Sequence, residues 1–467
     1  MTRVTVMGLG LFGGGAGAAR YFAERGCAVT VTDLRDEKVL APAIESLAGL
    51  PIRYVLGGHR EEDFASCDVL VVNPGVRPAN PFVELARRSG ARVTSEFELG
   101  LERAAARGAR VLAVTGTNGK STTAAMLASI LAQEDPRTRS GGNLGGSLLA
   151  LADSLPEGAS LVLEVSSFQL ERLSAFPALA VAVITNLAPN HLDWHRTLDE
   201  YYGAKRRLID FLPERGPLVL NAADPVLRRW GAAVGRRVSW FSCGSPPEGE
   251  GVWAEGDRLL VRRNGRDDSL ARLGRVALHG RHDLENSAAA AAAALEWGAR
   301  AESVQKGLEA YRPLRHRLEE VARAGELRFV DDSSATTPES AIAALASIEG
   351  PVYVIAGGND KGAPFDALAL ELARKAAGVA LVGAAGARLA KAVREAAARL
   401  ASPIRIEDAR DFRDAFDKAV TFMAGRGTIL LSPGAASLDE FANFAERGDT
   451  FAELARSYVA ARARPPG

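Results

Sequence analysis

Cysteine is scarce: Cys27, Cys67 and Cys243 are the only three, far apart and with no CxxC spacing. That argues against a disulfide framework or a zinc knuckle and fits a reducing compartment. An excess of charge of one sign is also missing. Lys plus Arg and Asp plus Glu both number 57, so no net field favours nucleic acid or an anionic membrane. Nor is there an uninterrupted apolar run of about 18 residues, the length a membrane-spanning helix needs. The start, MTRVTVMGLG, lacks the apolar segment of a signal peptide. The Ala-rich run Ser287–Leu295 is too short to span a bilayer and fits a buried helix. These absences predict a cytoplasmic protein without membrane insertion or a nucleic-acid partner, and a monomer is expected.

What is present is material for several cores. The 467 residues, 47% of them apolar, suggest about three domains of roughly 150 residues each. Short apolar runs alternate with helical stretches along the whole chain, the pattern of parallel sheets covered by helices. The fold class expected is therefore α/β with three domains. Residues 1–98 would form a Rossmann-like domain, with strands at Val4–Met7, Ala28–Thr32 and Val69–Val72. Residues 99–312 would form a central P-loop ATPase-type domain, with strands at Val111–Val114, Leu161–Glu164, Val181–Thr185 and Leu218–Asn221 and an antiparallel excursion near Leu259–Arg263. Residues 313–467 would form a second Rossmann-like domain, with strands at Arg328–Val330, Val352–Ala356, Val379–Val382 and Thr428–Leu431.

Two glycine loops follow strands and open helices. In Gly8-Leu9-Gly10-Leu11-Phe12-Gly13, glycine allows a tight turn and close approach to a phosphate, where N–H groups and the helix dipole favour an anion. Asp33 ends the next strand, where a carboxylate accepts from a ribose hydroxyl or a base N–H. This motif alone is also compatible with a turn that merely packs closely. Gly116-Thr117-Asn118-Gly119-Lys120-Ser121-Thr122 is more specific: its N–H groups suit phosphates, Lys120 the β/γ oxygens and Ser121 a Mg²⁺ ion. Val114 stands where the standard motif has its first glycine. ATP is the nucleotide expected. Two nucleotide-type loops then mean either an ATPase joined to an NAD domain, or an ATP-using enzyme whose second substrate is a nucleotide derivative.

Further polar groups follow strands: Glu164 in EVSSFQLE, and His191 in NLAPNHLDWH. A carboxylate there suits Mg²⁺, and a histidine suits a metal or a substrate. By residue type alone each reads equally as a satisfied polar group, and Lys205 reads as a solvated helix lysine.

Taken together, Gly116–Thr122, Glu164–Glu171, Asn186–Asp193, Tyr202–Lys205, His282–Asn286, His316–Glu319, Asp332–Thr336 and Ser432–Phe444 resemble the Mur ligase family, over nearly the whole chain. EVSSFQLE and SPGAASLDEFANF point to its glutamate-adding branch. The resemblance implies a reaction in peptidoglycan precursor synthesis: ATP, Mg²⁺, UDP-N-acetylmuramoyl-L-alanine and D-glutamate as participants, an acyl phosphate as intermediate, ADP and phosphate as products. It also implies roles. Gly10, Asp33, Arg35, Asn73 and Gly75 would lie near the uridine part, Asn143 and Gln169 near the sugar and diphosphate. Gly116, Thr117, Asn118, Gly119, Lys120, Ser121 and Thr122 would hold the ATP phosphates, Asn286 adenine, Arg317 the phosphates and Asp332 the ribose. Ser121, Glu164, His191 and Lys205, the last as a carbamate, would be metal-site residues; Lys120, His191 and Lys205 would be catalytic. Thr336, Lys361, Ser437 and Phe444 would receive glutamate.

The sequence departs from the family pattern at Phe12, Asp283, Arg315, Ser334 and Thr337. Ser334 takes the place of a lysine, which removes a cation near glutamate. L-glutamate or another amino acid is therefore kept as an alternative substrate, and an oxidoreductase fused to an ATPase, or a non-catalytic nucleotide-binding regulator, as alternative activities.

Overall fold

The computed structural model describes the chain except residues 11, 12, 78, 191, 277–279, 361–363, 438, 439 and 464–467, and the side chains of 192, 193, 339 and 463. Two compact units are present. The first comprises Met1–Val276 and His282–Tyr311; the second comprises the rest of the chain, chiefly from Arg312 onward.

The first unit contains two sheets. One has five parallel strands, β1 (Arg3–Met7), β2 (Ala28–Asp33), β3 (Ile52–Leu56), β4 (Val69–Val72) and β5 (Arg92–Thr94), in the order β3-β2-β1-β4-β5. The central β1 carries the first glycine loop at its C-terminal end. Its neighbours end in register, Met7 beside Thr32 and Val72, so Asp33 and Asn73 reach the same edge.

The other sheet has nine strands: β6 (Arg110–Thr115), β7 (Arg139–Gly142), β8 (Ser160–Glu164), β9 (Leu179–Ile184), β10 (Leu218–Asn221), β11 (Val238–Cys243), β12 (Gly251–Glu255), β13 (Arg258–Arg263) and β14 (Arg266–Arg272). The order is β14-β13-β12-β11-β10-β9-β6-β8-β7, parallel up to β12 and antiparallel beyond it. Val111–Val114 are fully buried because β6 is enclosed on both faces. β6 lies between β8 and β9, where the order of connection reverses, so the crevice at its C-terminal end is a natural ligand position. Helix Lys120–Glu134 begins there, with Gly119 as N-cap at φ 78°, and ends before Asp135-Pro136, where proline disfavours helix in the preceding residue. Helix Arg281–Trp297 is buried on every side from Asn286 to Ala294, which its alanines permit. Among the described residues no helix is long and apolar enough to cross a membrane.

The second unit has one six-stranded sheet: β15 (Glu319–Ala324), β16 (Glu326–Asp331), β17 (Val352–Gly357), β18 (Gly378–Val382), β19 (Arg405–Asp408) and β20 (Arg426–Leu431). Its order is β15-β16-β20-β17-β18-β19, with only β15 antiparallel. Apolar layers cover both faces, one around Leu345, Leu368 and Leu389, the other around Phe329, Phe416 and Phe451.

Helix Ala301–Ala310 lies against helix Lys120–Glu134 at Gly307. A Cβ there would stand 2.3 Å from the Ile130 Cα and 2.9 Å from the Ser129 carbonyl oxygen. Both are backbone atoms, so neither helix yields by a rotamer change. Gly307→Ala gains about 1 kcal/mol of helix propensity but loses about 1–3 kcal/mol through overpacking. Thermal unfolding of this variant is expected a few degrees below that of the parent; an equal or higher midpoint contradicts the packing account.

Candidate active site

At the C-terminal edge of the nine-stranded sheet, strand register alone brings distant residues together: Val114 pairs with Glu164, and Thr115 with Ile184. The loop after β6 is fixed by the loop after β9. The Thr117 N–H donates to the Asn186 carbonyl (2.8 Å) and the Asn118 N–H to Asn186 Oδ1 (2.9 Å). Asn186 Nδ2 and Thr185 Oγ1 both donate to the Asn118 carbonyl. Thr117 Oγ1 meets the Ala188 carbonyl at 3.1 Å and the Tyr201 hydroxyl at 3.2 Å. Gly116 is required by φ 146° and by Thr185 Oγ1, which lies 1.9 Å from where a Cβ would be. Lys120 Nζ donates to the Thr117 carbonyl (2.7 Å), folded over the loop. Ser121 is buried in the first helical turn. Asn286 reaches the same loop: its Oδ1 accepts from Thr123 Oγ1 and lies 2.3 Å from the Cβ position of Gly119.

Glu164 ends β8 and is 2% exposed. Its Oε1 accepts from Asn143 Nδ2 (2.8 Å), while the Asn143 N–H donates to the Glu164 carbonyl (2.9 Å). Lys205, on helix Leu198–Asp210, is also 2% exposed, and its Nζ donates to the Gly116 carbonyl at 2.6 Å. Burial drives the Lys205 amine well below the ordinary lysine range, the neighbouring Lys120 charge adds to this, and Glu164 opposes it. The residue that composition assigns to solvent is thus at the centre of the site. Gln169 has its Oε1 engaged in a capping box with Ser166. A hard divalent cation suits the oxygen donors of Ser121 and Glu164.

In the five-stranded sheet, Asp33 Oδ2 accepts from the N–H groups of Leu9 (2.9 Å) and Gly10 (3.4 Å), and Oδ1 from that of Arg35 (3.0 Å). Asp33 therefore shapes the glycine loop. Asn73 Nδ2 donates to the Gly8 carbonyl and Asn73 Oδ1 accepts from the Gly75 N–H. Gly10, Asp33, Asn73 and Gly75 form one cluster, with the Arg35 side chain exposed beside it.

The second unit repeats the plan. Asp331 pairs with Leu431, and Ile355 with Leu431, so the loops after β16, β20 and β17 share an edge. Asp332, 7% exposed, accepts from the Ser432 hydroxyl (2.8 Å); burial pushes its carboxyl up to about 7, against a downward pull from Arg317. Arg317 is exposed on a turn whose flanking residues, His316 and Leu318, have φ of 62° and 48°. Thr336 is exposed, Ser437 is buried, and the Phe444 ring lies 6.2 Å from that of His316. His191 and Lys361 lie outside the described residues. The sequence reading overlooked Thr185, Asn186 and Tyr201 as supports of the phosphate loop. Asn186 heads a stretch already singled out, but no local pattern shows that it turns back on Asn118.

A phosphate loop, a buried carboxylate and a buried lysine at the switch point of an α/β sheet define a nucleotide-dependent enzyme of the P-loop type. Three family models match: the Mur ligase MurD-like N-terminal domain over residues 2–95, the Mur ligase middle domain over 114–294 and the Mur ligase glutamate ligase domain over 316–436. A UDP-N-acetylmuramoylalanine–D-glutamate ligase of Roseiflexus sp. (strain RS-1) is 39% identical, covering 98% of this chain and 99% of its own. The enzyme of that name from Symbiobacterium thermophilum is 36% identical, covering 97% of each. Among solved structures, a UDP-N-acetylmuramate–alanine ligase from Thermotoga maritima shares the fold, with a TM-score of 0.63 at 18% identity over 98% of this chain and 100% of that one. The chain belongs to the Mur ligase family.

The raised Asp332 carboxyl has a stability consequence. From about pH 4 to about 7 the unfolded chain loses this proton while the folded chain keeps it. The unfolded state then binds fewer protons, so this group lowers stability as pH rises through that window. Asp332→Asn is expected to remove that part of the slope in thermal midpoint against pH. Parallel profiles for parent and variant contradict the assignment.

Proposed function

We propose that this chain is an ATP-dependent amide ligase that joins D-glutamate to the alanine carboxylate of UDP-N-acetylmuramoyl-L-alanine, a step in peptidoglycan precursor synthesis. The observation that carries the proposal is the buried pair Lys205 and Glu164 with the half-buried Lys120 around the Gly116–Gly119 loop, Lys205 Nζ lying 2.6 Å from the Gly116 carbonyl. The names of the relatives supply the substrates.

A carboxylate is a poor electrophile because its leaving group would be an oxide. Attack by one of its oxygens on the terminal phosphorus of ATP expels ADP and gives an acyl phosphate. The unprotonated amine of glutamate then adds to the acyl carbon, and inorganic phosphate leaves. The protein's part is alignment and charge neutralisation. The Gly116–Gly119 loop, with its Thr117 and Asn118 N–H groups held by Asn186, would shape the phosphate seat. The N–H groups at the start of helix Lys120–Glu134 would receive the phosphates, and Lys120 would swing from the Thr117 carbonyl to the transferring phosphoryl group. Asn286 would meet adenine.

Ser121 and Glu164 would hold Mg²⁺, with His191 beside them; the ion supplies charge neutralisation to the triphosphate when bound. Lys205 would join them as a carbamate. A neutral amine reacts with CO2, and the burial of Lys205 beside Lys120 disfavours its ammonium form. The carbamate would convert a destabilised cation into an anion that Lys120 stabilises. In the first sheet, Gly10, Asp33, Arg35, Asn73 and Gly75 would bind the uridine part, with Asn143 and Gln169 toward the sugar and diphosphate. In the second unit, Arg317 and Asp332 would meet ATP, and Thr336, Lys361, Ser437 and Phe444 the incoming glutamate.

Phosphate release from ATP and UDP-N-acetylmuramoyl-L-alanine is expected to require glutamate, with the D enantiomer faster than the L. Lys120→Ala is expected to lower turnover by about 100-fold or more. Lys205→Arg keeps a cation but forms no carbamate and should lose comparable activity. Glutamate-independent release rejects the ligase reading, preference for L-glutamate rejects the enantiomer, and parental turnover in Lys205→Arg rejects the carbamate.

A further inference from the structure

Helix Phe444–Ala463 opens with a buried arginine for which the functional reading has no role. Arg447 is 3% exposed. Its Nε donates to Ser333 Oγ (3.0 Å), and its Nη2 to the Ser333 carbonyl (2.9 Å) and the Ala435 carbonyl (3.3 Å). Nη1 donates to the same Ala435 carbonyl at 3.3 Å. The Ser333 hydroxyl in turn donates to the Phe444 carbonyl (2.7 Å). One guanidinium therefore bridges the loop after β16 and the loop after β20.

The loop after β17 reaches the same group. A Cβ on Gly358 would lie 3.3 Å from Arg447 Nη1 and 2.3 Å from the Ala436 carbonyl oxygen, and the Asn359 N–H donates to that carbonyl at 2.8 Å. Thr336, Ser437 and the segment leading to residue 361 are thus carried by three loops that meet around one buried side chain. The next residue, Gly448, has no room for a Cβ: it would stand 2.2 Å from His316 Nδ1 and 2.6 Å from Asp331 Oδ2. The first turns of this helix therefore also seat the His316–Asp331 pair, joined at 2.7 Å, which precedes Arg317.

The forked donors explain why arginine stands here. Its planar guanidinium holds two carbonyls and a hydroxyl in fixed relative positions, which the single ammonium of lysine does not. We propose that Arg447 is a positioning residue for the amino-acid substrate, fixing the loops of Thr336, Ser437 and Asn359 in the spacing that glutamate requires. The proposal rests on the ligase reading. Arg447 is nearly enclosed, so it acts through these loops rather than by touching glutamate. It bonds Ser333 and Ala435 rather than Asp332 or Arg317 themselves, so its loss bears on glutamate affinity more than on phosphoryl transfer.

The test uses the full chain with Arg447→Met, which keeps the apolar bulk, and Arg447→Lys, which keeps the charge but not the fork. Glutamate-dependent phosphate release by the parent is measured first; its absence sinks the ligase reading and this proposal together. With the parent active, Arg447→Met should raise the KM for glutamate at least tenfold. ADP formation from ATP and UDP-N-acetylmuramoyl-L-alanine in a single turnover without glutamate should stay within threefold of the parent. Arg447→Lys should lie between the two in KM. A glutamate KM within twofold of the parent in either folded variant overturns the proposal, as does an equal loss in ADP formation. If Arg447→Met fails to fold, Arg447→Lys decides: a glutamate KM raised about fivefold supports positioning, and an unchanged one overturns it.

Discussion

A lysine amine and a carboxylate are buried together beside a second, half-buried lysine, and the middle of the first unit is arranged around that constraint. A buried ammonium lacking compensation would cost several kcal/mol. Lys205 meets this with a hydrogen bond to the Gly116 carbonyl and with Glu164 in its field, yet burial and Lys120 still favour its neutral form. A triphosphate brings several negative oxygens to the same loop, beside Lys120 and the start of its helix. Function follows from this arrangement: the chain folds around a loop and helix start that suit an anion with several oxygens.

Rigidity of the surroundings makes this arrangement useful. The phosphate loop is held at both Thr117 and Asn118 by the loop after β9, and glycine at 116 and 119 is dictated by positive φ and by close neighbours. A preorganised loop loses little entropy on binding, so the helix start that follows it meets the ligand without rearrangement. The same plan recurs in all three sheets, where loops from adjacent parallel strands meet at one edge. What differs is the chemistry placed there: a carboxylate shaping a glycine loop at Asp33, a lysine–glutamate cluster at Lys205, and a buried carboxyl with a raised pKa at Asp332.

Much of this was legible in the sequence because register is a local consequence of strand pattern. Apolar runs such as Val111–Val114 and Val352–Ala356 announced buried parallel strands, and their register brings the loops just beyond them to one sheet edge. The bridging arginine was not legible. Arg447 lies among other charged residues of a helix, and nothing in its vicinity separates it from Arg456 or Arg462, which face outward. Residue type alone assigned Lys205 to solvent; the family resemblance singled it out, and the tertiary fold places it under Gly116. Asp33 shows a subtler limit: its position at a strand end was readable, but not that its oxygens are occupied by the N–H groups of Leu9, Gly10 and Arg35.

The account's central claim is that the terminal phosphoryl group of ATP passes to a carboxylate before any amide forms. Heavy oxygen placed in the alanine carboxylate of UDP-N-acetylmuramoyl-L-alanine reports on this directly, because the oxygen that attacks phosphorus leaves with it. After turnover with ATP and D-glutamate, the released inorganic phosphate should carry one labelled oxygen per fully labelled carboxylate consumed. Amide product formed alongside phosphate free of label would contradict the account.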